Sequence, residues 1–181
     1  MRHVERAARR ALLRSIALAP LTLCLKPAKA SLRDEVRSLD LLHTHTGEAL
    51  TVTYFADGAY VPEALAQIDH LLRDFRTGEV SPIGTGLLDA LHALAGVCGG
   101  ETFEVISGYR SAATNAMLQN TSEGVATNSL HLQGRAVDVR LTGFDTAKLR
   151  DAAIALGRGG VGYYPASDFV HLDTGRVRRW G

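Results

Sequence analysis

Cysteine is scarce in this chain of 181 residues, which contains Cys24 and Cys98 and no other cysteine. Small domains stapled by disulfides need several cysteines, so the sequence excludes that class of protein. A structural zinc site is usually closed by four protein ligands rich in cysteine, and the sequence has little cysteine to supply them.

Long apolar runs are also missing, since a membrane-spanning helix needs about 20 apolar residues. The apolar run Ile16–Leu25 is shorter and contains Pro20. It follows a segment rich in arginine, and residues 28–30 (Ala-Lys-Ala) offer the small-x-small pattern of a signal-peptidase site. The pattern predicts a signal peptide over residues 1–30, a periplasmic mature protein and no stable membrane insertion after cleavage.

The export route and one alternative stay open at this point. Arg9 and Arg10 precede Ala11-Leu12-Leu13, which resembles a twin-arginine export signal and makes this route an alternative to general secretion. The other interpretation of the segment is a basic amphipathic helix that stays attached to the protein.

Positive charge is scarce beyond residue 30. Residues 31–181 keep 13 of the 20 Lys and Arg residues and 18 of the 19 Asp and Glu residues, so their formal charge is −5 against +1 for the whole chain. A surface with this balance and no basic cluster is a poor partner for a phosphate backbone, so we expect no nucleic-acid binding. We expect residues 31–181 to form one domain, which is long enough to bury a core.

The periodicity of residues 31–181 predicts an α+β domain with a small antiparallel sheet flanked by helices. Helical patterns follow Pro62, Gly86, Ser111 and Asp145, and none of them belongs to a regular βαβ repeat. The strand-like segments are residues 39–43, 50–55, 102–106, 136–141, 161–164 and 169–173.

Three side chains in the second half of the domain can bind one metal ion. His131 and Asp138 flank Gly134, which lets the chain bend between them, and His171 lies in a later strand-like segment. Two imidazoles and a carboxylate suit Zn²⁺ and leave one coordination position open, as in catalytic zinc sites. Because His and Asp are common in any globular protein, the spacing alone is weakly specific.

The residues around these three side chains form several motifs in a fixed order. Residues 129–138 read Ser-x-His-x-x-Gly-x-Ala-x-Asp; the others are Ser-Gly-Tyr-Arg-Ser at 107–111, Gly-Gly-Val-Gly-Tyr-Tyr-Pro at 159–165 and Phe-Val-His-x-Asp at 169–173. Together they resemble the D-Ala-D-Ala metallopeptidase group of the LAS (lysostaphin, D-Ala-D-Ala, sonic hedgehog) zinc peptidases. Within that group the chain is most similar to the murein endopeptidase K branch, from about Leu39 to Trp180.

The resemblance implies roles for individual residues. It implies that His131, Asp138 and His171 hold Zn²⁺, and that Arg110 stabilises an oxyanion or holds a substrate carboxylate. Relatives often carry a glutamate three residues before the last ligand, where this chain has Asp168. Asp173 should project from the same strand face as His171, so we prefer Asp173 as the general base and Asp168 as the next choice.

The site residues and the resemblance together predict a zinc-dependent peptidoglycan (murein) endopeptidase that cuts cross-links between stem peptides. The partner molecules of the protein are then peptidoglycan stem peptides, and we expect the protein to be a monomer. Two alternatives remain. One is a carboxypeptidase or dipeptidase acting on terminal D-amino acids of cell-wall peptides. The other is a non-catalytic, zinc-stabilised wall-binding domain, which the weak match at the base position leaves open.

Overall fold

A mixed sheet of eight strands is the centre of the structure, a computed structural model that describes residues 35–100, 102–121 and 126–181. The predicted signal peptide lies outside the described residues. The strands are β1 (Arg37–His43), β2 (Ala49–Ala56), β3 (Ala59–Tyr60), β4 (Thr102–Ser107), β5 (Ala136–Leu141), β6 (Gly160–Tyr164), β7 (Phe169–Asp173) and β8 (Arg178–Trp180). Their order across the sheet is β3-β2-β1-β4-β5-β7-β6-β8.

The prediction of an α+β domain is confirmed, and the sheet is mostly antiparallel as predicted, but it is not small and two of its strand pairs are parallel. Strands β1 and β4 pair in parallel, as do β6 and β8, while the other neighbours are antiparallel. A parallel pair requires a crossover connection, which here contains both helices between β2 and β4. The short strands β3 and β8 extend the sheet at its two edges.

In the described part of the chain, four α-helices accompany the sheet: α1 (Pro62–Leu71), α2 (Thr85–Cys98), α3 (Ala112–Thr121) and α4 (Thr146–Leu156). Pro62 occupies the first turn of α1, where the missing N–H is not needed. The side chain of Asp145 caps α4 by accepting from the Lys148 N–H at 2.9 Å. Helix α3 extends to Thr121, into a segment whose polar composition predicts a loop from residue 119.

The hydrophobic core lies between one sheet face and the helices. Helix α2 packs on β1 and on α4, and α4 packs on β5, β6 and β7. Val139 and Val170 are fully buried on this side, so the alternating residues Asp138 and His171 point to the opposite face of the sheet. No helix in the described ranges is long and apolar enough to cross a membrane.

Candidate metal centre

The three predicted metal ligands lie together on the sheet face opposite the core. Asp138 in β5 and His171 in β7 are direct cross-strand partners. His131 lies on a short 3-10 turn, Leu130–Gln133, that precedes β5. Gly134 ends this turn with φ +63°, and a Cβ at this position would overlap the carbonyl oxygen of Pro82. Glycine is therefore required at residue 134 for His131 to reach the strand pair.

One ligand atom from each of these three residues converges on a common point. His131 Nε2 lies 3.2 Å from His171 Nδ1 and 3.4 Å from Asp138 Oδ1, and His171 Nδ1 lies 2.9 Å from Asp138 Oδ1. Ligand atoms of one tetrahedral zinc ion, each at ~2.0–2.1 Å from the metal, are about 3.3 Å apart. The spacing of the three atoms therefore fits a single zinc ion; we call His131, Asp138 and His171 the metal-binding trio.

The second nitrogen of each imidazole has its own acceptor. His131 Nδ1 lies 2.7 Å from the carbonyl oxygen of Gly108, and His171 Nε2 lies 3.0 Å from Asp173 Oδ2. An N–H donated to these oxygens leaves the other ring nitrogen, which faces the trio, free to bind a cation. Carbonyl and carboxylate acceptors behind ligating histidines are typical of zinc sites.

The electrostatics of the trio also favour a cation. Burial alone would raise the pKa of Asp138, but the two neighbouring histidines hold it well below its usual range, so the carboxylate is ionised. Burial would lower the pKa of His171, whereas Asp138 and Asp173 raise it above the usual histidine value. A metal ion must displace the His171 proton, so metal affinity should fall as the pH is lowered.

Asp173 lies at the end of β7 and borders the cleft, but its carboxylate is buried against Nε2 of His171, the ring nitrogen that does not face the other two ligand atoms. Its carboxylate accepts from Arg178 through two nitrogens, at 2.7 and 3.0 Å, and from the N–H groups of Gly160 and Gly175. With these donors and His171 all on one carboxylate, this geometry favours a role in orienting His171 over the predicted role as general base.

Asp168 is exposed and lies in the turn between β6 and β7, with φ +52°. Its oxygens accept from Thr146 Oγ1 and face Arg140 at 3.5 Å. Asp168 is not among the residues that line the cleft beside the trio. The structure thus does not bring the second predicted base to the site.

Arg110 lies beside the trio, in the segment between β4 and α3. Its Nη2 is 3.8 Å from Asp138 Oδ2, and its Nη1 is 3.4 Å from the side-chain oxygen of Asn115. Its buried Nε has no hydrogen-bond partner within the described part of the chain. The guanidinium therefore keeps one N–H that no described residue satisfies.

The loop that carries Arg110 is held by residues that sequence reasoning missed. Asp74 accepts from the backbone N–H of Ser111 at 2.9 Å and from its hydroxyl at 2.6 Å. Tyr109 donates to Glu79 at 2.6 Å. Asp74 follows α1 in an ordinary polar turn, and no motif marks it.

Replacement of Asp74 by asparagine should lower the free energy of unfolding by about 2 kcal/mol at pH 7. Burial alone would raise the pKa of Asp74, but hydrogen bonds from Ser111, Thr114 and the Arg76 N–H lower it to about 2. The stability that the carboxylate contributes is present above its unfolded-state pKa of about 4 and is lost as the pH falls towards 2. Urea unfolding at pH 7 and pH 3 measures this.

The matched control is Asp151→Asn, because Asp151 is an exposed carboxylate paired with its neighbour Arg150. We expect this variant to unfold like the wild type at both pH values. An Asp74→Asn variant whose loss of stability is the same at pH 3 as at pH 7 would contradict the account.

The trio opens on a cleft of about 370 Å³. Its lining includes Arg110, Ser129 and three aromatic residues, Tyr164, Phe169 and Trp180. The side chain of Ser129 accepts from the backbone N–H of His131 and so caps the 3-10 turn, without contacting the imidazole. Sequence reasoning placed Phe169 in a motif without giving it a role and did not name Arg178; the positions of both become apparent from the pairing of β6, β7 and β8.

An open cleft in an α+β domain, lined by two histidines, a carboxylate and an arginine, is typical of metal-dependent hydrolases. The family whose sequence model matches residues 31–180 is described as peptidoglycan L,D-endopeptidase MepK, and the chain belongs to this family. The predicted resemblance and the prediction of a peptidase are thereby confirmed.

Individual relatives agree with this assignment. The chain is 43% identical over 145 residues to the peptidoglycan L,D-endopeptidase MepK of Escherichia coli K12, covering 80% of each chain. It is 41% identical over 146 residues to the probable peptidoglycan L,D-endopeptidase MepK of Haemophilus influenzae, covering 80% of this chain and 78% of that one.

Proposed function

We propose that this protein is a zinc-dependent endopeptidase that hydrolyses cross-links between peptidoglycan stem peptides. The observation that carries the proposal is the trio, whose three ligand atoms have the spacing of one zinc ion and open on a cleft beside Arg110. The relatives are named as peptidoglycan L,D-endopeptidases, and an open cleft can admit a polymer-bound peptide.

Location and assembly are part of this proposal. Residues 1–30 would direct export to the periplasm and be removed there. All the residues of the proposed site belong to one chain, so a monomer suffices. The trio on two antiparallel strands and a preceding turn would form the core of a LAS-type peptidase.

The residues of the site divide the chemistry between them. When bound to the trio, Zn²⁺ would act as a Lewis acid on the scissile carbonyl and lower the pKa of water towards ~7. Arg110 would donate to the carbonyl oxygen as negative charge develops on it, through a guanidinium that is permanently charged. Asp173 and the Gly108 carbonyl hold the two imidazoles so that one nitrogen of each faces the cleft.

Asp173 is proposed as the positioning residue for His171. An Asp173→Asn substitution should weaken zinc binding about 10- to 100-fold, because the carboxylate no longer fixes the ring and its charge. Competition with a chelator, on protein shown to be folded by circular dichroism, measures this affinity.

The matched control is Asp168→Asn, three residues before His171 instead of two after it. We expect it to keep zinc affinity and activity within about twofold of the wild type, as the change is exposed and outside the cleft. If Asp168→Asn instead loses activity with zinc bound while Asp173→Asn keeps both, the base would be Asp168 and our assignment would be wrong.

The proposed function is tested by digesting purified, cross-linked peptidoglycan with residues 31–181 and zinc, and separating the products by liquid chromatography and mass spectrometry. We expect cross-linked dimers to decrease and monomers to increase, with no change in a His171→Ala control. Shortened monomers would instead indicate a carboxypeptidase. Intact products from a zinc-loaded protein would indicate a wall-binding domain.

A further inference from the structure

Three aromatic side chains form one continuous surface in the cleft, which we call the aromatic ledge: Tyr164, Phe169 and Trp180. The Tyr164 and Phe169 rings are stacked, with centroids 4.6 Å apart and planes 22° apart. The indole N–H of Trp180 donates to the Tyr164 hydroxyl at 3.0 Å. All three side chains line the same cleft as the trio.

The side chains of the ledge pack on one another and on β6 and yet stay partly exposed, unlike the aromatic residues of the core. Trp180 and Tyr164 are 36% and 37% exposed, whereas Tyr54 and Phe103 are fully buried. The indole lies on Gly162 of β6, where a Cβ would come within 2.6 Å of it, and the Arg178 guanidinium lies 4.8 Å from its ring centre. A fixed apolar surface left open to solvent beside a candidate active site is typical of a binding surface.

The distance between the ledge and the trio limits what can bind there. The ring centres of Trp180 and His171 are 5.2 Å apart. Two extended residues span about 6.6–7.2 Å, so a group on the ledge lies within two residues of the bond held at the trio. The ledge therefore contacts a residue that flanks the scissile bond.

The chemistry of a cross-link identifies this residue. Joining two stem peptides by an amide requires an amino acid with a second amino group, carried on its side chain. The nitrogen of the scissile amide then lies at the far end of a side chain that contains several methylene groups. Methylene groups are apolar and pack well on aromatic faces.

We propose, on the basis of the function proposed above, that the aromatic ledge binds the methylene chain of the diamino acid that supplies the scissile nitrogen. The ledge would hold the amine side of the substrate, and Arg110, which lies beside the trio, would donate to the carbonyl oxygen. Trp180 is then a specificity-determining residue for cross-linked peptides.

The protein contains its own reporter for this contact, because Trp180 is its one tryptophan. The probe is the zinc-loaded protein titrated with the tripeptide L-Ala-D-Glu-diaminopimelate, which ends in the free diamino acid and has no cross-link to cut. We expect saturable movement of the tryptophan emission to shorter wavelength and weaker quenching by acrylamide. The control tripeptide with alanine in the third position lacks the methylene chain and should leave both signals unchanged.

Kinetics with cross-linked dimers test the same contact without fluorescence. Trp180→Ala should raise KM about five- to tenfold and change kcat little, because the contact is made in both the ground and the transition state. Trp180→Phe keeps a smaller ring and should show an intermediate KM. The matched control is Tyr60→Ala, which removes an equally exposed aromatic side chain from the opposite edge of the sheet and should leave KM unchanged.

The outcomes separate the two proposals. If Trp180→Ala cuts dimers with an unchanged KM, or if both tripeptides change the emission equally, the proposed role of the ledge would be refuted. The proposed endopeptidase function would be unaffected by either result. Saturable emission changes specific to the diamino acid, in a protein that cuts no cross-link, would retain the ledge as a binding site and refute the endopeptidase.

Discussion

A His131→Ala variant is expected to lose stoichiometric zinc binding, and its rate of dimer cleavage should fall at least about 1000-fold. His131 is buried, and its Nε2 is one of only three converging ligand atoms from the described residues. Two remaining ligands cannot hold a catalytic ion firmly, and removing the Lewis acid withdraws several kcal/mol of charge stabilisation, or about three powers of ten in rate. Metal analysis after dialysis and the rate of dimer cleavage measure the two losses.

The control for this experiment is His70→Ala, which removes an exposed histidine from α1 and should preserve both zinc content and rate. Circular dichroism shows whether each variant is folded. A folded His131→Ala protein that retains more than a tenth of the activity would rule out the trio as the catalytic metal site.

The second large effect is expected for Arg110→Ala, which should lower kcat about 100- to 1000-fold with little change in KM or in zinc content. Removing a donor aimed at a developing oxyanion typically has this cost. Arg110 contributes no ligand atom to the trio, so zinc should stay bound. Arg110→Lys should be intermediate, since an ammonium group retains the charge without the planar pair of donors.

The matched control is Arg158→Ala, which removes an exposed arginine outside the cleft. The kinetic parameter that changes in Arg110→Ala also separates two functions. A large rise in KM with an unchanged kcat would mean that Arg110 binds a substrate carboxylate in the ground state, as in a carboxypeptidase.

The sequence predicted the ligands of the candidate site better than it predicted the surroundings. His131, Asp138 and His171 stand in motifs of fixed order, and the structure brings them together as expected. Alternation in β7 also placed Asp173 on the same face as His171. The alternation could not show that the Asp173 carboxylate binds the far nitrogen of the imidazole. The groups that hold this carboxylate, Arg178 and the Gly160 N–H, belong to other strands, whose pairing the sequence does not reveal.

The size of the sheet could not be predicted from the sequence for a related reason. Local patterns located most of the strands, but the parallel pairing of β1 with β4 joins residues about 60 positions apart, such as Asp40 and Thr102. Strand β8 is only three residues long and has no alternation of its own to read. Its pairing with β6 is what places Trp180 on Gly162 and so completes the aromatic ledge.

The most direct test of the central claim is a titration of metal-free protein with zinc, in which bound metal and dimer cleavage are measured on the same samples. We predict that activity rises in proportion to bound zinc and levels off at one ion per chain, and that a His171→Ala sample shows neither change. Full cleavage by the metal-free protein, or activity that does not follow occupancy of a single site, would contradict the account.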